Sequence, residues 1–500
     1  MTKSSTWTAL RNPVFRKLWS ATVISGTCVA AHNSAATWVM NGLTGSPFLI
    51  SLMSTVASLP FFLFTLPAGA LADKVDRQKL LCTINLCLAA IAVGIAVLGW
   101  LHLLNPCLIL VGVFFLAVGF AFNAPAWTSI VPQVVSDGEL PSAATLSGLQ
   151  LNISGIIGPA LGGLLVLLAG ANFVFAVNAA CFLLIVLAIR GWKQPAVPAT
   201  LPSERFFESF GTVVRHVRSA SGLQVVLARN FLFALFISVI PALMPVVGLT
   251  VLHFSSSNLG LLFSSMGVGS VIGAVFIIPS LRARFSPDGV TLSANLLIVL
   301  AYVLMAVVRQ TELCLGVAAL AGVGWTLSAS ELWVAAQRAM PSWARGRMNA
   351  TVIMVSQAAM ALGGVIWGFA AAIAGPIYTL LGASVLFLVS LLLGRRLSIN
   401  VIRNLEERVS GVLSVSVKVG EVTPIVRRGP LMFTIPACGF VVAPKLDWLY
   451  KINRVADCAQ SFSKEVKRPT PQFNRPHTLN DHVGSNFQLQ MVAPIPAPGR

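Results

Sequence analysis

Twelve runs of about 20 apolar residues run through this chain, and nothing else in it limits the fold so strongly. They lie at 18–40, 48–71, 80–100, 107–130, 143–168, 171–189, 230–251, 258–281, 290–308, 313–336, 349–373 and 376–394. Each is long enough to cross a bilayer as a helix, the element that satisfies its own backbone polar groups in lipid. A water-soluble core cannot use this much apolar surface. The 500 residues are 56% hydrophobic and 10% charged, against about 25% charged in a typical soluble domain. The expected fold class is an all-α integral membrane protein: twelve transmembrane helices in two six-helix halves, with a small, poorly defined cytosolic tail. The first run carries no cleavage-like ending, so no secretory signal is expected.

The charges then orient the runs. Up to residue 400 there are 21 Lys and Arg, and Arg309 alone falls on the opposite face from the other 20. Basic connections stay in the cytoplasm, so both termini are expected inside a plasma (bacterial inner) membrane. The net charge of +18 expresses this bias plus a basic tail, and points to no nucleic acid. The eight cysteines, Cys28, Cys82, Cys87, Cys107, Cys181, Cys314, Cys438 and Cys458, are scattered. They read as small apolar fillers rather than a disulfide frame or zinc site. No metal and no cofactor is expected, and a monomer is.

The longest internal hydrophilic segment, 190–229, divides the chain into a first half (1–189), a cytoplasmic linker (190–229), a second half (230–396) and a tail (397–500). Pro195, Pro198 and Pro202 extend the linker's start, and Ser203–Glu204 open an amphipathic surface helix. The halves echo each other. "GALADKVDRQK" (69–79) follows the second run and "GAVFIIPSLRARF" (273–285) the eighth; "PALGGLL" (159–165) is answered by "MALGGVI" (360–366). Like punctuation in corresponding runs indicates two repeats about an axis along the membrane normal. Gly158, Pro159, Gly162 and Gly163 are expected to allow close packing and bending of the fifth run. The tail is divergent or partly disordered, and its His477 and His482 read as solvated.

Twelve spans, the six-plus-six split and G-x-L-A-D-x-x-D-R-x-K after the second together resemble the major facilitator superfamily. Within it, the chain resembles the transmembrane secretion effector family, which includes siderophore exporters. "LRNPVFRKLW" (10–19), "LTGSPFLISL" (43–52), "FNAPAWTSIVPQVV" (122–135) with "NISGIIGPALGG" (152–163), and "AAQRAMPSWARGRMNA" (335–350) with "ALGGVIWG" (361–368) carry that resemblance over about residues 10–396. The resemblance implies a secondary transporter working by alternating access on a small-molecule substrate, with proton coupling as an option. No enzymatic activity is expected, since the sequence offers no nucleophile–base set, phosphate loop or metal cluster.

In that setting the charged turn after the second span reads as a latch. Gly69 allows a close helix approach. Asp73 and Arg77, four apart, face each other on a helical turn. By resemblance, Asp73 lies near the start of span eleven, beside Arg345 and Arg347. A complementary set is Asp137 and Glu139 before span five with Arg282 and Arg284 after span eight. The alternative is that these charges only fix topology.

Ionisable groups at membrane depth are functional candidates by default. His32 and Asn33 stand in span one. Glu331 in span ten either faces the cavity, binding a cation or proton, or reaches the surface to pair with Arg338. The amides Asn85, Asn123, Asn152, Asn178, Asn295 and Gln357 either bond across helices or touch substrate, with Asn123 and Asn152 the best path candidates because spans four and five line the cavity in the superfamily. Trp38, Trp127, Trp325 and Trp333 either wall the path or anchor at the interface. Relative to the family, Gly155 replaces a common arginine, span four lacks the intramembrane arginine of drug–proton antiporters, and span one lacks their acid. An exporter of a small amphipathic molecule (siderophore, drug or metabolite) is the expected function; the alternatives are an uptake permease and a non-transporting scaffold or sensor on a transporter fold.

Overall fold

The computed structural model describes residues 7–136, 138–191, 221–339 and 345–393, without the side chains of 73–74, 129, 221–222 and 345–348. The chain divides into two units, Met1–Val409 and Ser410–Arg500, and everything described belongs to the first. The tail, Asp137 and the linker's expected amphipathic helix lie outside the described residues.

Among the described residues, twelve long helical segments follow one another. They are α1 (Pro13–Leu43), α2 (Pro47–Lys74), α3 (Arg77–Trp100), α4 (Pro106–Val134), α5 (Leu140–Ala169), α6 (Ala171–Arg190), α7 (Ser221–Ile237, then Val239–Val246), α8 (Ser256–Ile272, then Ile278–Arg282), α9 (Pro287–Val307), α10 (Thr311–Ala339), α11 (Arg345–Ala374) and α12 (Pro376–Leu393). Their starts are chemically marked. Proline stands at the first position of α1, α2, α4, α9 and α12, where its missing N–H costs no bond. The side chains of Asn12, Asn105, Ser255 and Ser286 accept hydrogen bonds from the first backbone N–H groups of α1, α4, α8 and α9, as N-caps do.

Eleven of the twelve are long and apolar enough to cross a membrane by length and composition. The exception is α1, whose polar residues include Ser25, His32, Ser34 and Thr37. All four are buried, and α1 packs against α5 and α6, so they face protein. Among the described residues, α7 already covers 221–229, ahead of the apolar run, so these residues lengthen the seventh span. Arg229 of this added stretch pairs with Asp288 at the start of α9.

One expectation is corrected. Asp73 and Arg77 do not share a helical turn: α2 ends at Lys74, Val75 is extended, and Asp76 starts α3 by accepting a hydrogen bond from Lys79 N (3.1 Å). The carboxylate gives Lys79 N the acceptor that a preceding turn would have supplied in an unbroken helix, so the chain can turn here without leaving that donor bare.

The packing repeats after six helices. α1 lies on α5 as α7 on α11, α2 on α4 as α8 on α10, and α3 on α6 as α9 on α12. The halves meet where α2 packs on α11 and α5 on α8, again one arrangement used twice. α4 and α10 pack extensively only within their own halves. For brevity, the end at which α1 begins is the basic end, and the opposite one the far end.

The centre of the second half is α7. It breaks at Ser238, just before Pro241 and Pro245, which lack a backbone donor. Side chains from two neighbours bond carbonyls at the break: Tyr302 Oη of α9 donates to Phe236 O (2.7 Å) and Trp367 Nε1 of α11 to Leu235 O (2.9 Å). π-helical turns follow at Val247–Val251 in α7 and Gly273–Ile277 in α8.

Candidate functional site

The interface between the halves is sealed at the far end by backbone-close contacts. A Cβ on Gly163 of α5 would stand 2.3 Å from Ser256 O of α8, and one on Gly260 of α8 equally close to Pro159 O. On the other seam, a Cβ on Gly364 of α11 would stand 2.3 Å from Thr55 Oγ1 of α2. Hydrogen bonds cross here too: Ser51 Oγ donates to Ala242 O of α7 (3.0 Å) and Thr55 Oγ1 to Ala361 O (3.0 Å). Phe48 and Phe369 pack edge to face. Small residues and hydroxyls are what membrane helices use to approach this closely.

The close approach persists to mid-helix, where a Cβ on Gly267 of α8 would stand 3.0 Å from Gly155 O. Nearer the basic end, added Cβ atoms at Gly69 and Gly148 would meet nothing within 4 Å, so the close approach expected of Gly69 is not made in this conformation. The far-end contacts nevertheless set a register for the basic end. Facing positions on antiparallel helices run in opposite directions along the chain. Counting from Gly163 opposite Ser256, and from Gly155 beside Gly267, Glu139 comes level with the turn Ser280–Ala283, which holds Arg282. Counting from Thr55 opposite Ala361 and Phe48 opposite Phe369, position 73 comes level with the chain directly before Arg345 of α11.

Among the charged groups, Glu139 is engaged locally, accepting from Ser136 N (3.1 Å) and Ser136 Oγ (2.9 Å). Arg282 turns into its own half: its Nε donates to Glu331 Oε1 at 2.6 Å and its Nη2 to Ser330 Oγ at 3.1 Å. The Glu331 side chain is 4% exposed and that of Arg282 43%. The bonded partner of Glu331 is thus Arg282 of α8 and not Arg338 of its own helix. Arg284 is exposed and Arg77 half-buried. The side chains of Asp73, Arg345 and Arg347 lie outside the described residues.

The path candidates scatter. His32 is buried against α6, its ring 4.6 Å from that of Phe175, with neither nitrogen hydrogen-bonded. Asn33 is exposed, Asn123 half-buried, and exposed Asn152 donates to Gly148 O (2.9 Å). Asn295 accepts from Ser328 Oγ (2.6 Å), linking α9 to α10. Gln357 has a buried, unbonded Oε1. Trp325 packs on the second-half core. Asn230 of α7, bonded to Ser356 Oγ and Val352 O of α11, was not singled out from the sequence; an amide at the edge of an apolar run was its only signal.

A family model described as transmembrane secretion effector matches residues 4–436. Macrolide efflux protein A of Streptococcus pyogenes is 22% identical over 265 residues, covering 53% of this chain and 65% of that protein. The chain thus spans about 65% of the length of that relative. Enterobactin exporter EntS of Citrobacter koseri is 25% identical over 381 residues, covering 73% of this chain and 87% of the exporter. Among solved structures, a bacterial homologue of the human lysosomal transporter Spinster, inward-facing and occupied, superposes with a TM-score of 0.63 at 13% identity, over 79% of this chain and 98% of that one. A point mutant of the nucleoside transporter NupG gives 0.63 at 12% identity, over 76% and 100%. Likeness at such identity shows the fold.

Proposed function

The chain belongs to the transmembrane secretion effector family, and on that premise we propose that it is a secondary transporter exporting a small amphipathic molecule by alternating access. One observation carries this reading. Two repeats are joined by backbone-close contacts at the far end, while α4 and α10 pack extensively only within their halves. A bundle built so can part at one end and close at the other. Relatives that are themselves an efflux protein and an exporter favour export over uptake and over a non-transporting role.

Charge counting places the basic end in the cytoplasm, so the conformation is read as inward-facing. The native Cys107 at the start of α4, which is exposed, should react in intact cells with a membrane-impermeant maleimide, as should a cysteine at Gly45. With Cys107 replaced by serine, a cysteine at Ser286 should not, and labelling there from outside would overturn the orientation. Closing the basic end brings Asp73 toward Arg345 and Arg347, and Glu139 toward Arg282 and Arg284. Each partly solvated pair contributes about 0–1 kcal/mol, enough to bias two states of similar energy.

The test is expression in an efflux-deficient bacterial host, with accumulation measured for a panel of siderophores, macrolides and amphipathic amines. At least one class should accumulate less, and an uncoupler should abolish the difference. Unchanged accumulation of every compound, with the protein inserted, would favour the non-transporting reading.

A further inference from the structure

In the first half, the acid and arginine that drug–proton antiporters carry are absent from spans one and four. The second half has a pair of its own. Glu331 lies well inside α10, whereas Asp76, Glu139, Asp288 and Glu312, the other acids with described side chains, stand at helix starts. We propose that Glu331 is the exchange site for a proton or a cationic substrate group, and that its occupancy releases Arg282 to close the basic end against Glu139. This rests on the transport reading above.

The two partners differ in a way that assigns their roles. Glu331 is almost wholly enclosed, while the Arg282 side chain is 43% exposed and stands at the last residue of α8. The arginine is the member able to move. Its second destination follows from the α5–α8 register, which sets Glu139 level with the turn that holds Arg282. Arg282 Nε and Nη2 are turned to Glu331 and Ser330 of its own half, so meeting Glu139 on α5 of the other half requires the side chain to turn away from Glu331.

Leaving Glu331 bare is strongly unfavourable, because a buried carboxylate stripped of its partner keeps a desolvated charge. A proton removes that charge and a cationic group balances it; either lets Arg282 go. Other charges on elements packed around α10 are already placed. Asp288 of α9 holds Arg229 of α7, Arg284, two residues past α8, is exposed, and Arg345 and Arg347 stand in the first turn of α11, with Arg338 on α10 itself near its end. None of those with described side chains bonds Glu331.

The sign follows. The closed form binds the proton and the open form does not, so acid favours closure. An empty, unprotonated Glu331 keeps Arg282 and holds the basic end open, which prevents closure without cargo. Export then requires that a cationic group leave in the proton's place, so the substrate class is amphipathic amines.

The test is double electron–electron resonance on the full chain in nanodiscs, between labels carried by p-acetylphenylalanine at Thr145 of α5 and Ser280 of α8, so that native cysteines stay. In the wild type the closed-to-open ratio should rise with acid by about tenfold per pH unit, the limit for one proton. Glu331→Gln should give the closed distance at every pH. Glu139→Gln, on an exposed connection, should stay open in acid. Wild-type pH dependence surviving Glu331→Gln overturns the proposal. A distance that responds to Gly163→Val but not to pH sinks the exchange and spares alternating access; a distance that responds to neither sinks both. In the accumulation panel, export confined to neutral or anionic compounds overturns the substrate class.

Discussion

Valine at Gly163 should open the far end without unfolding the protein. The Cβ would stand 2.3 Å from Ser256 O, a backbone atom that cannot turn aside. The overlap costs about 1–3 kcal/mol unless the helices separate. Here they can, because α5 and α8 belong to different halves and the strain is relieved by rocking one half against the other. A bias of that size changes the ratio of two states by roughly 5- to 150-fold. The contrast is Gly322 of α10, where a Cβ would stand 2.0 Å from Met266 O of α8. That contact lies inside the second half, and no rocking motion relieves it. Gly322→Val should therefore lower the melting temperature, while Gly163→Val should leave it nearly unchanged and expose a cysteine placed at Ser257 to an impermeant reagent. Equal losses of melting temperature in the two variants would make the α5–α8 seam part of one rigid core and remove the far end as a gate.

That contrast also separates what the residue order reveals from what only packing reveals. The spans were legible because lipid demands long apolar runs, and the repeat because "PALGGLL" and "MALGGVI" put glycines at corresponding depths. Which contact each glycine makes was not legible. Gly163 seals the two halves while neighbouring Gly162 packs on Ala31 O within one half, and nothing in the spacing of "ALGG" tells the two apart. The helical stretch 221–229 of α7 was hidden for a related reason. Arg229 interrupts hydropathy, but its pairing with Asp288 allows the helix to continue past a charge.

The candidate site was legible as residue types and illegible as partners. Glu331 stood out as a carboxylate in an apolar run, yet sequence proximity pointed to Arg338 whereas the fold delivers Arg282 from another helix. His32 stood out for the same reason, and the fold turns it onto Phe175, away from the interface between halves. Asp73 and Arg77 looked like a helical pair because four residues separate them, but Asp76 breaks the helix between them. In each case a tertiary or capping interaction of about 1 kcal/mol or more outweighs a local preference of a few tenths.

Asp73→Asn should weaken the closed basic end and slow transport. The substitution keeps size and most hydrogen bonding and removes only the charge. Position 73 ends α2 and comes level with the chain directly before Arg345 of α11, so closure sets a carboxylate against the positive end of a helix whose first residues include Arg345 and Arg347. A helix N-terminus and one partly exposed ion pair together are worth on the order of 1 kcal/mol, so the ratio of states should move roughly fivefold toward the open basic end. Turnover should fall by a similar factor, since each cycle must pass through the closed form, while binding from the basic end should persist. Salt should shrink the difference between variant and wild type, because the lost interaction is screened. The alternative is that the charges of "GALADKVDRQK" only orient the chain, and it predicts a different pattern. Asp73→Asn would then leave the Thr145–Ser280 distance distribution and the turnover at wild-type values, and only the removal of Lys74, Arg77 and Lys79 would matter, through inverted topology.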